Sequence, residues 1–304
     1  MSIIQFQTRK PEPNKLDSLM EVLPYIKLYS GEAFVVYCDG EVLNNDELLK
    51  AFAQDVVLLK GMGINIFVVH GGDDYVNRTL KKFNIAPEYV DEMRVIDQES
   101  IEVVEMVLSG LLNKKIVSKI NDAGGMAFGI SGKDCNLIEA KKFRSSQSTP
   151  GSNVKSIIDF GFVGEPTSVN PEMLLMFEES DLIPVISPIA IGENAETFYI
   201  NPITVSGVIA SALSVCKYVI LSDYPGIVEK DGNVITNMEE YQLLQMAKSK
   251  IEPKDLEHII HTCICVLENG ADAVHIINGR TPHALLLEVF SEGGLGTCIE
   301  CSED

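Results

Sequence analysis

Basic side chains are scarce in this 304-residue chain, which contains 24 Lys and Arg against 44 Asp and Glu, for a formal net charge of −20. Nucleic acids and anionic membranes are bound through clustered Lys and Arg, so this balance argues against both as partners. Long apolar runs are absent too. None approaches the roughly 18–20 residues of a membrane span, and the N-terminus lacks the apolar centre of a signal peptide.

The cysteines contain one CxxC spacing, at Cys298 and Cys301, and a second such pair is lacking. The seven cysteines are odd in number and scattered, which is typical of a reducing compartment and predicts a cytoplasmic location. Two groups contain residue types that bind metals, namely His258, His261, Cys263 and Cys265 in one and Cys298 and Cys301 in the other. A structural metal site needs a full set of four suitably spaced ligands, so we predict no metal site.

The remaining composition, 46 % hydrophobic and 22 % charged, is that of a folded globular protein. Residues 33–38 and 64–70 are short apolar runs typical of buried strands. The helical pattern between them begins at Asp46, which we expect to cap it. A long helix begins at Asp97 and leads into a strand at residues 126–130. Strands that alternate with helices in this way predict a mainly parallel sheet.

Residues 137–200 differ in character from the first part of the chain. They contain short β-type runs separated by polar turns, and we expect antiparallel hairpins at the edge of the sheet. A helix of small residues is predicted over 204–215 and a buried strand over 218–221, before a final helix-strand-helix-strand series.

Three segments that follow predicted strands contain candidate binding residues: 37–40, 70–73 and 222–226. Ligands of an open parallel sheet bind beyond the carboxyl ends of its strands, where loops meet helix N-termini. The pair Gly71-Gly72 would let backbone N–H groups approach a phosphate or carboxylate closely. Taken alone, the same pair is equally well a tight strand-to-helix turn.

The segments, read together and in order, resemble the acetylglutamate kinases of the amino acid kinase family over nearly the whole chain from about residue 16. The matching segments are LPYI (residues 23–26), DVVLLKGMGI (55–64), VVHGG (68–72), VDEMRVID (90–97), VVEMVLSG (103–110), SGKD (131–134), FVGE (162–165) and HIINGRTPHALLLEVFSEGGLGT (275–297). Chance does not assemble this many segments in one order.

The resemblance implies a three-layer α/β/α sandwich around a mainly parallel sheet. It implies an N-terminal arm and helix for oligomerisation (1–30), a lobe for N-acetyl-L-glutamate (31–200) and a lobe for ATP (201–304). The family transfers the γ-phosphoryl group of ATP, with Mg²⁺, to the side-chain carboxylate of N-acetyl-L-glutamate in arginine biosynthesis. Catalysis of this kind is mainly positioning and neutralisation of charge by Lys, Mg²⁺ and backbone N–H groups.

The two glycine loops depart from the family pattern. The family's first loop is Lys-Tyr-Gly-Gly-Asn, whose lysine contacts the transferring phosphate, and here Tyr37 stands at the lysine position. Asp39 and Glu41 add carboxylates to the same loop. The second loop is His-Gly-Gly-Gly in the family, and here Asp73 replaces its last glycine.

Two further motifs lose catalytic charges. The family pattern Asn-x-Asn-Ala-Asp keeps only its central Asn201 here, and Ile203 stands where an aspartate orients the lysines. The segment Gly-Gly-Met-x-Pro-Lys supplies a second phosphate-stabilising lysine, and a gapless alignment places Ile259 at that position. A register with about five extra residues would match Lys254 instead, but it would turn the helix face by roughly 140°.

These departures predict a catalytically silent or severely impaired homologue that acts as a binding or regulatory subunit. Losing one charge-assisted donor from a transition-state clamp costs on the order of 3 kcal/mol, and here two lysines and an aspartate are replaced together. Asp39 and Asp73 would also face a triphosphate with like charge. We therefore assign no certain cofactor, and ATP with Mg²⁺ only if the chain is active.

Several family positions are retained. Arg94 matches the arginine that binds the substrate carboxylate, for which its planar fork is suited, and Gly71, Gly72 and Asn201 complete the predicted N-acetyl-L-glutamate site. The retained positions of the nucleotide site are Ser222, Asp223 and Gly226.

The arginine-sensitive branch of the family has an interlacing N-terminal helix that builds a hexamer and an allosteric arginine pocket near the chain end. Residues 16–29 keep the helix, with a narrow apolar stripe, and the pocket residues retained are His275, Glu288, Gly294 and Gly296. The implied partners are N-acetyl-L-glutamate and arginine, and ATP in an active form. The implied assembly is a homo-oligomer, dimer or hexamer, or a hetero-oligomer with an active paralogue.

Two alternatives remain open. One is an active acetylglutamate kinase that uses Lys254 together with a metal held by the new carboxylates. The other is a different reaction on the same fold, such as the kinase-like lobe of acetylglutamate synthase. The end of the sequence at Asp304, with no acetyltransferase domain, argues against the second.

Overall fold

Strands and helices alternate along the chain, which the computed structural model describes over residues 13–90, 93–148, 155–229, 231–249, 251–291 and 294–301. The strands in this part are β1 (Ala33–Cys38), β2 (Asn65–His70), β3 (Glu88–Val90), β4 (Met93–Val95), β5 (Ala127–Ser131), β6 (Ile138–Ser148), β7 (Lys155–Val169), β8 (Ile183–Ser187), β9 (Ile189–Ile191), β10 (Thr197–Tyr199), β11 (Lys217–Ser222), β12 (Asn237–Glu239), β13 (Ala273–Asn278) and β14 (Thr297–Glu300). The α-helices are α1 (Pro13–Tyr29), α2 (Glu41–Asn44), α3 (Asp46–Gly61), α4 (Asp73–Lys82), α5 (Gln98–Glu105), α6 (Asn113–Asp122), α7 (Pro171–Glu178), α8 (Pro202–Leu213), α9 (Glu240–Ala247), α10 (Lys254–Glu268) and α11 (Ala284–Phe290).

Eight of these strands form one sheet in the order β12-β14-β13-β11-β1-β2-β8-β5. Its neighbouring strands run parallel as far as the structure describes them, apart from the antiparallel pair β13 and β14. In the register of the sheet, Cys38 at the end of β1 lies between His70 of β2 and Leu221 of β11. The loops that follow these three strands therefore leave the sheet side by side.

The burial of β1 shows that the sheet is covered on both faces. Phe34 and Val36 belong to one hydrophobic cluster, and Val35 and Tyr37 to the other, as the alternation of side chains along a strand requires. Buried residues of α3, α5 and α6 belong to the first cluster and those of α8 and α10 to the second. The predicted three-layer α/β/α sandwich around a mainly parallel sheet is confirmed.

Most predicted elements of the first half are confirmed, with one cap reassigned. Asp97 caps α5, because its carboxylate accepts a hydrogen bond from the Ser100 amide at 2.8 Å. The long helix that follows continues from α5 to α6 through a π-helical segment, Met106–Leu112. The predicted cap at Asp46 is wrong, because Asn45 has the extended backbone and accepts hydrogen bonds from two amides of the first turn.

The prediction for residues 137–200 was partly wrong. The long strands β6 and β7 do pair antiparallel, but together with β9 and β10 they close into a small barrel apart from the main sheet. The apolar run of β8 lies inside the main sheet, between β2 and β5. A fully apolar run marks a strand that is covered on both faces, which the edge assignment overlooked.

The second half contains the predicted helix two residues earlier than expected. Asn201 caps α8 and accepts a hydrogen bond from the Ile203 amide at 3.0 Å, so the helix begins at Pro202. No helix in the described part of the chain is long and apolar enough to cross a membrane.

The predicted lobes share the main sheet. Strands β1, β2, β5 and β8 come from residues 31–200, and β11 to β14 from residues 201–304, with the boundary between β1 and β11. The division into two functional lobes stays a prediction. Residues 1–12 of the predicted N-terminal arm lie outside the described residues.

Candidate functional site

The carboxylate of Asp39 covers the backbone of Gly71. Asp39 follows β1 and Gly71 follows β2, and a Cβ atom added to Gly71 would collide with the Asp39 side chain. The Gly71 amide donates to the Cys38 carbonyl at 3.0 Å, so its hydrogen bond is made within the protein. The first glycine of the second loop therefore accommodates a carboxylate of the neighbouring loop.

Tyr37 holds this carboxylate in place. The Tyr37 hydroxyl donates to Asp39 Oδ2 at 2.8 Å, and the Gly40 amide donates to Asp39 Oδ1 at 2.8 Å. Burial raises the pKa of Asp39 to about 6. The charges of the neighbouring Asp73 and Asp74 also raise this pKa, whereas the two hydrogen bonds lower it. The side chain is therefore ionised at neutral pH, at an energetic cost to the folded protein.

A second carboxylate, Asp73, lies in the first turn of α4. Tyr199 at the end of β10 donates its hydroxyl to Asp73 Oδ1 at 3.2 Å, and Nη2 of Arg94 lies 3.6 Å from the same oxygen. Burial raises the pKa of Tyr199, as do the charges of Asp73 and Asp39, whereas Arg94 lowers it. The three charged groups therefore lie around one tyrosine hydroxyl.

Arg94 is the most unusual residue of this group, because its side chain is only 4 % exposed. Its three guanidinium nitrogens have no hydrogen-bond partner among the described residues, and its guanidinium lies 5.1 Å from the centre of the Tyr89 ring. The 3.6 Å contact with Asp73 exceeds ordinary hydrogen-bond length. A buried guanidinium with unused donors is well suited to receive a carboxylate.

The three positions predicted to correspond to the family's catalytic charges hold buried residues. Tyr37 is 6 % exposed, Ile203 is 4 % exposed and Ile259 is 6 % exposed, and all three belong to the hydrophobic cluster on one face of the sheet. Lys254 is the first residue of α10, one and a half turns before Ile259.

The two other residues predicted for the substrate side have structural contacts. Gly72 caps α4 with a φ of 135°, and an added Cβ atom would collide with Leu112. Asn201 is exposed, and its side-chain oxygen caps α8. The structure thus brings Gly71 against Asp39 and Gly72 against Leu112, and Asn201 lies two residues beyond Tyr199.

The predicted nucleotide residues follow β11. Asp223 lies against Gly40 and accepts hydrogen bonds from the Glu41 amide at 3.2 Å and from Nε of Arg280 at 3.3 Å. Ser222 Oγ accepts from the Tyr224 amide at 3.2 Å. These contacts join the loops after β1, β11 and β13 at one edge of the sheet.

Gly226, the third predicted nucleotide residue, has a φ of 133°. An added Cβ atom would lie 2.7 Å from Thr297 Oγ1, so the turn at Gly226 packs directly against the start of β14. Glycine is needed here for the positive φ and for this close approach.

His70, the last residue of β2, is a neutral core residue. It is fully buried, and its Nδ1 donates to the Gly71 carbonyl at 2.8 Å. Burial lowers the pKa of His70 to about 4. The histidine therefore supports the second loop and adds no positive charge to it at neutral pH.

The four residues predicted for an arginine pocket converge at the other end of β13. His275 Nδ1 lies 2.7 Å from Glu288 Oε1, and the Gly296 amide donates to Glu288 Oε2 at 3.3 Å. A Cβ atom on Gly294 would lie 2.9 Å from the Glu288 carboxylate. Burial raises the pKa of Glu288, but the hydrogen bonds from His275 and the Leu295 amide outweigh burial and leave it lowered.

Three residues of these clusters escaped the sequence analysis. Tyr199 stands at the first position of the Asn-x-Asn-Ala-Asp pattern and received no role, although a tyrosine that ends a buried strand needs a partner for its hydroxyl. Lys217, which begins β11, is buried and lies 2.8 Å from His275 Nε2. The sequence signal for Lys217 is its position, because a lysine there begins an apolar strand. Arg280 could be found only from the pairing of β11 with β13.

No group of three or more His, Cys, Asp or Glu in the described ranges is placed to hold a metal ion. His258 lies 2.8 Å from Thr204 Oγ1, Cys263 is buried in the core, and Cys265 is exposed. All seven cysteines, including Cys298 and Cys301, are free.

Comparison with known proteins agrees with the fold and its loops. A model described as the amino acid kinase family matches residues 32–278. An acetylglutamate kinase of Rhodospirillum centenum is 42 % identical over 285 residues, which cover 94 % of this chain and 93 % of that protein. An acetylglutamate kinase of Ehrlichia canis is 43 % identical over 302 residues, which cover 98 % of this chain and 93 % of that protein.

A solved structure with the same fold is N-acetylglutamate synthase from Neisseria gonorrhoeae in complex with coenzyme A and N-acetyl-glutamate. The TM-score is 0.81 and the sequence identity 22 %, and the match covers 95 % of this chain but only 64 % of that chain. The chain described here belongs to the amino acid kinase family and is a homologue of its acetylglutamate kinases.

Proposed function

We propose that this acetylglutamate kinase homologue is catalytically silent or severely impaired and acts as a binding or regulatory subunit. The observation that carries the proposal is the burial of Tyr37, Ile203 and Ile259 in one apolar cluster, at the family positions of two lysines and an aspartate. Phosphoryl transfer in such a site depends on preorganised positive charge around the transferring group. Apolar packing at these positions supplies none.

The charge of the glycine loops supports the same proposal. Asp39 lies over Gly71, and Asp73 begins the helix whose N-terminus the second loop forms. Both carboxylates repel a triphosphate and the carboxylate of N-acetyl-L-glutamate. The residues around these loops therefore fit neither the phosphates of ATP nor the acceptor carboxylate of the family reaction, and we derive no catalytic step through ATP and Mg²⁺.

We further propose that the chain binds L-arginine at the cluster of His275, Glu288, Gly294 and Gly296. The carboxylate of Glu288 suits a guanidinium, and the two glycines let backbone groups approach the ligand.

The seven free cysteines are consistent with the expected cytoplasmic location.

We also propose a homo-oligomer that assembles through α1, with a hetero-oligomer as the alternative. Tyr25 and Tyr29 fasten the end of this helix to Phe290 and Phe34 through edge contacts. Among the side chains of α1 that the structure describes, the large apolar ones of Met20 (60 %), Leu23 (45 %) and Leu28 (63 %) are exposed. Such a stripe suits burial against another chain.

The first prediction concerns turnover. In an ADP-release assay with N-acetyl-L-glutamate, ATP and Mg²⁺, we expect a rate about a thousandfold or more below that of an active acetylglutamate kinase, because several charges of the clamp are missing at once. The Rhodospirillum centenum relative, assayed in parallel, is the positive control. A rate within about tenfold of the relative would overturn the proposed silence.

The second prediction concerns the stability cost of Asp39. Because burial raises its folded-state pKa from 3.8 to about 6, the ionised carboxylate destabilises the folded protein above that pH. We expect Asp39→Asn to raise the free energy of unfolding by about 1–2 kcal/mol near neutral pH, within the limit of about 3 kcal/mol that such a shift allows. The gain should vanish below about pH 4, where Asp39 is protonated in both states. Urea unfolding at a series of pH values measures it.

Asp46→Asn is the matched control for this prediction. The hydrogen bond and charge of Lys115 lower the pKa of Asp46, so its ionised form favours the folded state. Neutralising it should leave stability unchanged or reduce it. A gain from both variants alike would trace the effect to the net charge of the chain and contradict the local cost at Asp39.

The third prediction concerns assembly. We expect light scattering after size exclusion to find a hexamer for the wild type and a dimer for Leu23→Asp, because a carboxylate on the exposed stripe of α1 cannot be buried cheaply. Val228→Asp, at an apolar residue 46 % exposed outside α1, should leave the mass unchanged. A monomeric wild type, or an unchanged mass of Leu23→Asp, would refute assembly through α1.

The fourth prediction concerns arginine. Isothermal titration should detect L-arginine binding, and Glu288→Gln should weaken it by about tenfold or more, because a charged partner of the guanidinium is lost. Asp46→Asn, which removes an exposed carboxylate outside this cluster, is the control and should preserve binding, and Arg94→Gln tests whether arginine binds at Arg94 instead. If binding is absent, or depends on Arg94 and not on Glu288, the arginine pocket is refuted.

A further inference from the structure

The group formed by Arg94, Asp73 and Asp39 is charged at both ends. The buried guanidinium of Arg94 has no hydrogen-bond partner among the described residues, which points to a bound carboxylate. The two carboxylates of the group are Asp73, whose Oδ1 lies 3.6 Å from Arg94 Nη2, and Asp39. Each accepts a hydrogen bond from one tyrosine, Asp39 from Tyr37 and Asp73 from Tyr199.

These carboxylates can still accept further hydrogen bonds. Each carboxylate oxygen has two lone-pair directions. The Asp39 oxygens receive one contact each, from the Tyr37 hydroxyl and the Gly40 amide, both at 2.8 Å. Asp73 Oδ1 receives the Tyr199 hydroxyl, and the Asp73 side chain is 53 % exposed. Both carboxylates therefore keep lone pairs for a ligand that donates charged hydrogen bonds.

The charges near Asp39 favour a cation there. The ionised groups that shift the titration of Asp39 are Asp73 and Asp74, and both are negative. Asp74 itself accepts from Nδ2 of Asn44 at 2.8 Å. An ammonium group beside Asp39 would offset this repulsion, whereas a carboxylate would add to it.

We propose that this site takes an amino-acid derivative whose carboxylate pairs with Arg94 and whose side chain ends in a cation held by Asp39 and Asp73. The inference rests on the proposed function, since it applies to a site that no longer transfers a phosphoryl group. It reverses the charge expected of the distal end of the ligand: the family substrate carries a carboxylate there, and the ligand of this chain carries an ammonium.

A charge series of three probes tests the preference. N-acetyl-L-glutamate, N-acetyl-L-glutamine and N-acetyl-L-ornithine share an acyl group and an α-carboxylate, and their side chains end in a negative, a neutral and a positive group. Titration calorimetry of the full chain near neutral pH, without Mg²⁺, should give the tightest binding for the ornithine derivative. We expect it to bind about tenfold or more tighter than the glutamate derivative, with the glutamine derivative between them. Equal or tighter binding of the glutamate derivative, or no binding of any probe, overturns the proposal.

Three variants assign the preference to the named residues. Asp39→Asn should reduce the ornithine-to-glutamate ratio by about tenfold. Asp46→Asn removes the same charge from a position 69 % exposed and should leave the ratio unchanged. An equal loss in both variants would trace the preference to the net charge of −20 and overturn it. Arg94→Gln should weaken all three probes together, and Arg94→Lys replaces it if melting shows that the first variant is unfolded.

Two further outcomes separate this inference from the proposed function. Normal turnover of ATP and N-acetyl-L-glutamate refutes the silent function, whatever the order of the probes. A silent chain that prefers the glutamate derivative leaves the silent function standing and refutes the inference alone. The series is then repeated with Mg²⁺. A preference for the glutamate derivative that appears only with Mg²⁺ would indicate that Asp39 and Asp73 bind the metal, and it would overturn the proposed site for an ammonium group.

Discussion

The hydrogen bond from the Tyr37 hydroxyl to the Asp39 carboxylate determines what lies at the ends of the central strands. A buried tyrosine needs a partner for its hydroxyl, and Asp39 supplies one at 2.8 Å. The carboxylate in turn needs an open backbone beneath it, which Gly71 supplies because it has no Cβ atom. The three residues form a coupled unit: deleting the Asp39 side chain leaves an unpaired hydroxyl, deleting the Tyr37 hydroxyl leaves the carboxylate less compensated, and adding a side chain at Gly71 produces a clash.

The sheet is largely independent of this unit, so the fold can persist under the change of chemistry that we propose. The strands are held by apolar packing on both faces, and the replaced positions extend that packing. Ile203 and Ile259 join the cluster that already contains Val35 and Tyr37. Charged residues at those positions would have to be desolvated, whereas isoleucine is stabilised by burial. The apolar residues at the predicted charge positions therefore cost this fold nothing in its core, and the functional difference that we propose lies in these positions and in the loops beyond the strands.

Much of the fold could be predicted from the chain because its signals are local. The apolar run of β1 and the cap at Asp97 depend on a few neighbouring residues, and both were placed correctly. The position of β8 inside the main sheet depends on long-range pairing that no short segment encodes. In the candidate site, too, local sequence signals could be read from the chain, whereas long-range contacts could not. The sequence showed that Asp39 had entered a glycine loop, but only the structure showed it lying on Gly71.

Part of the net charge of −20 lies at the candidate site. A surplus of carboxylates spread over solvated surface mainly affects solubility and long-range attraction. Asp39 and Asp73 instead concentrate negative charge at the ends of two parallel strands, opposite the single buried guanidinium of Arg94 in that cluster. The long-range field of the protein and the local field of the cluster then act in the same direction, and both draw a cation toward the loops. On the proposed function, a polyanion such as ATP meets like charge both at a distance and at the loops. A ligand with opposite charges at its two ends meets Arg94 with one and the carboxylates with the other.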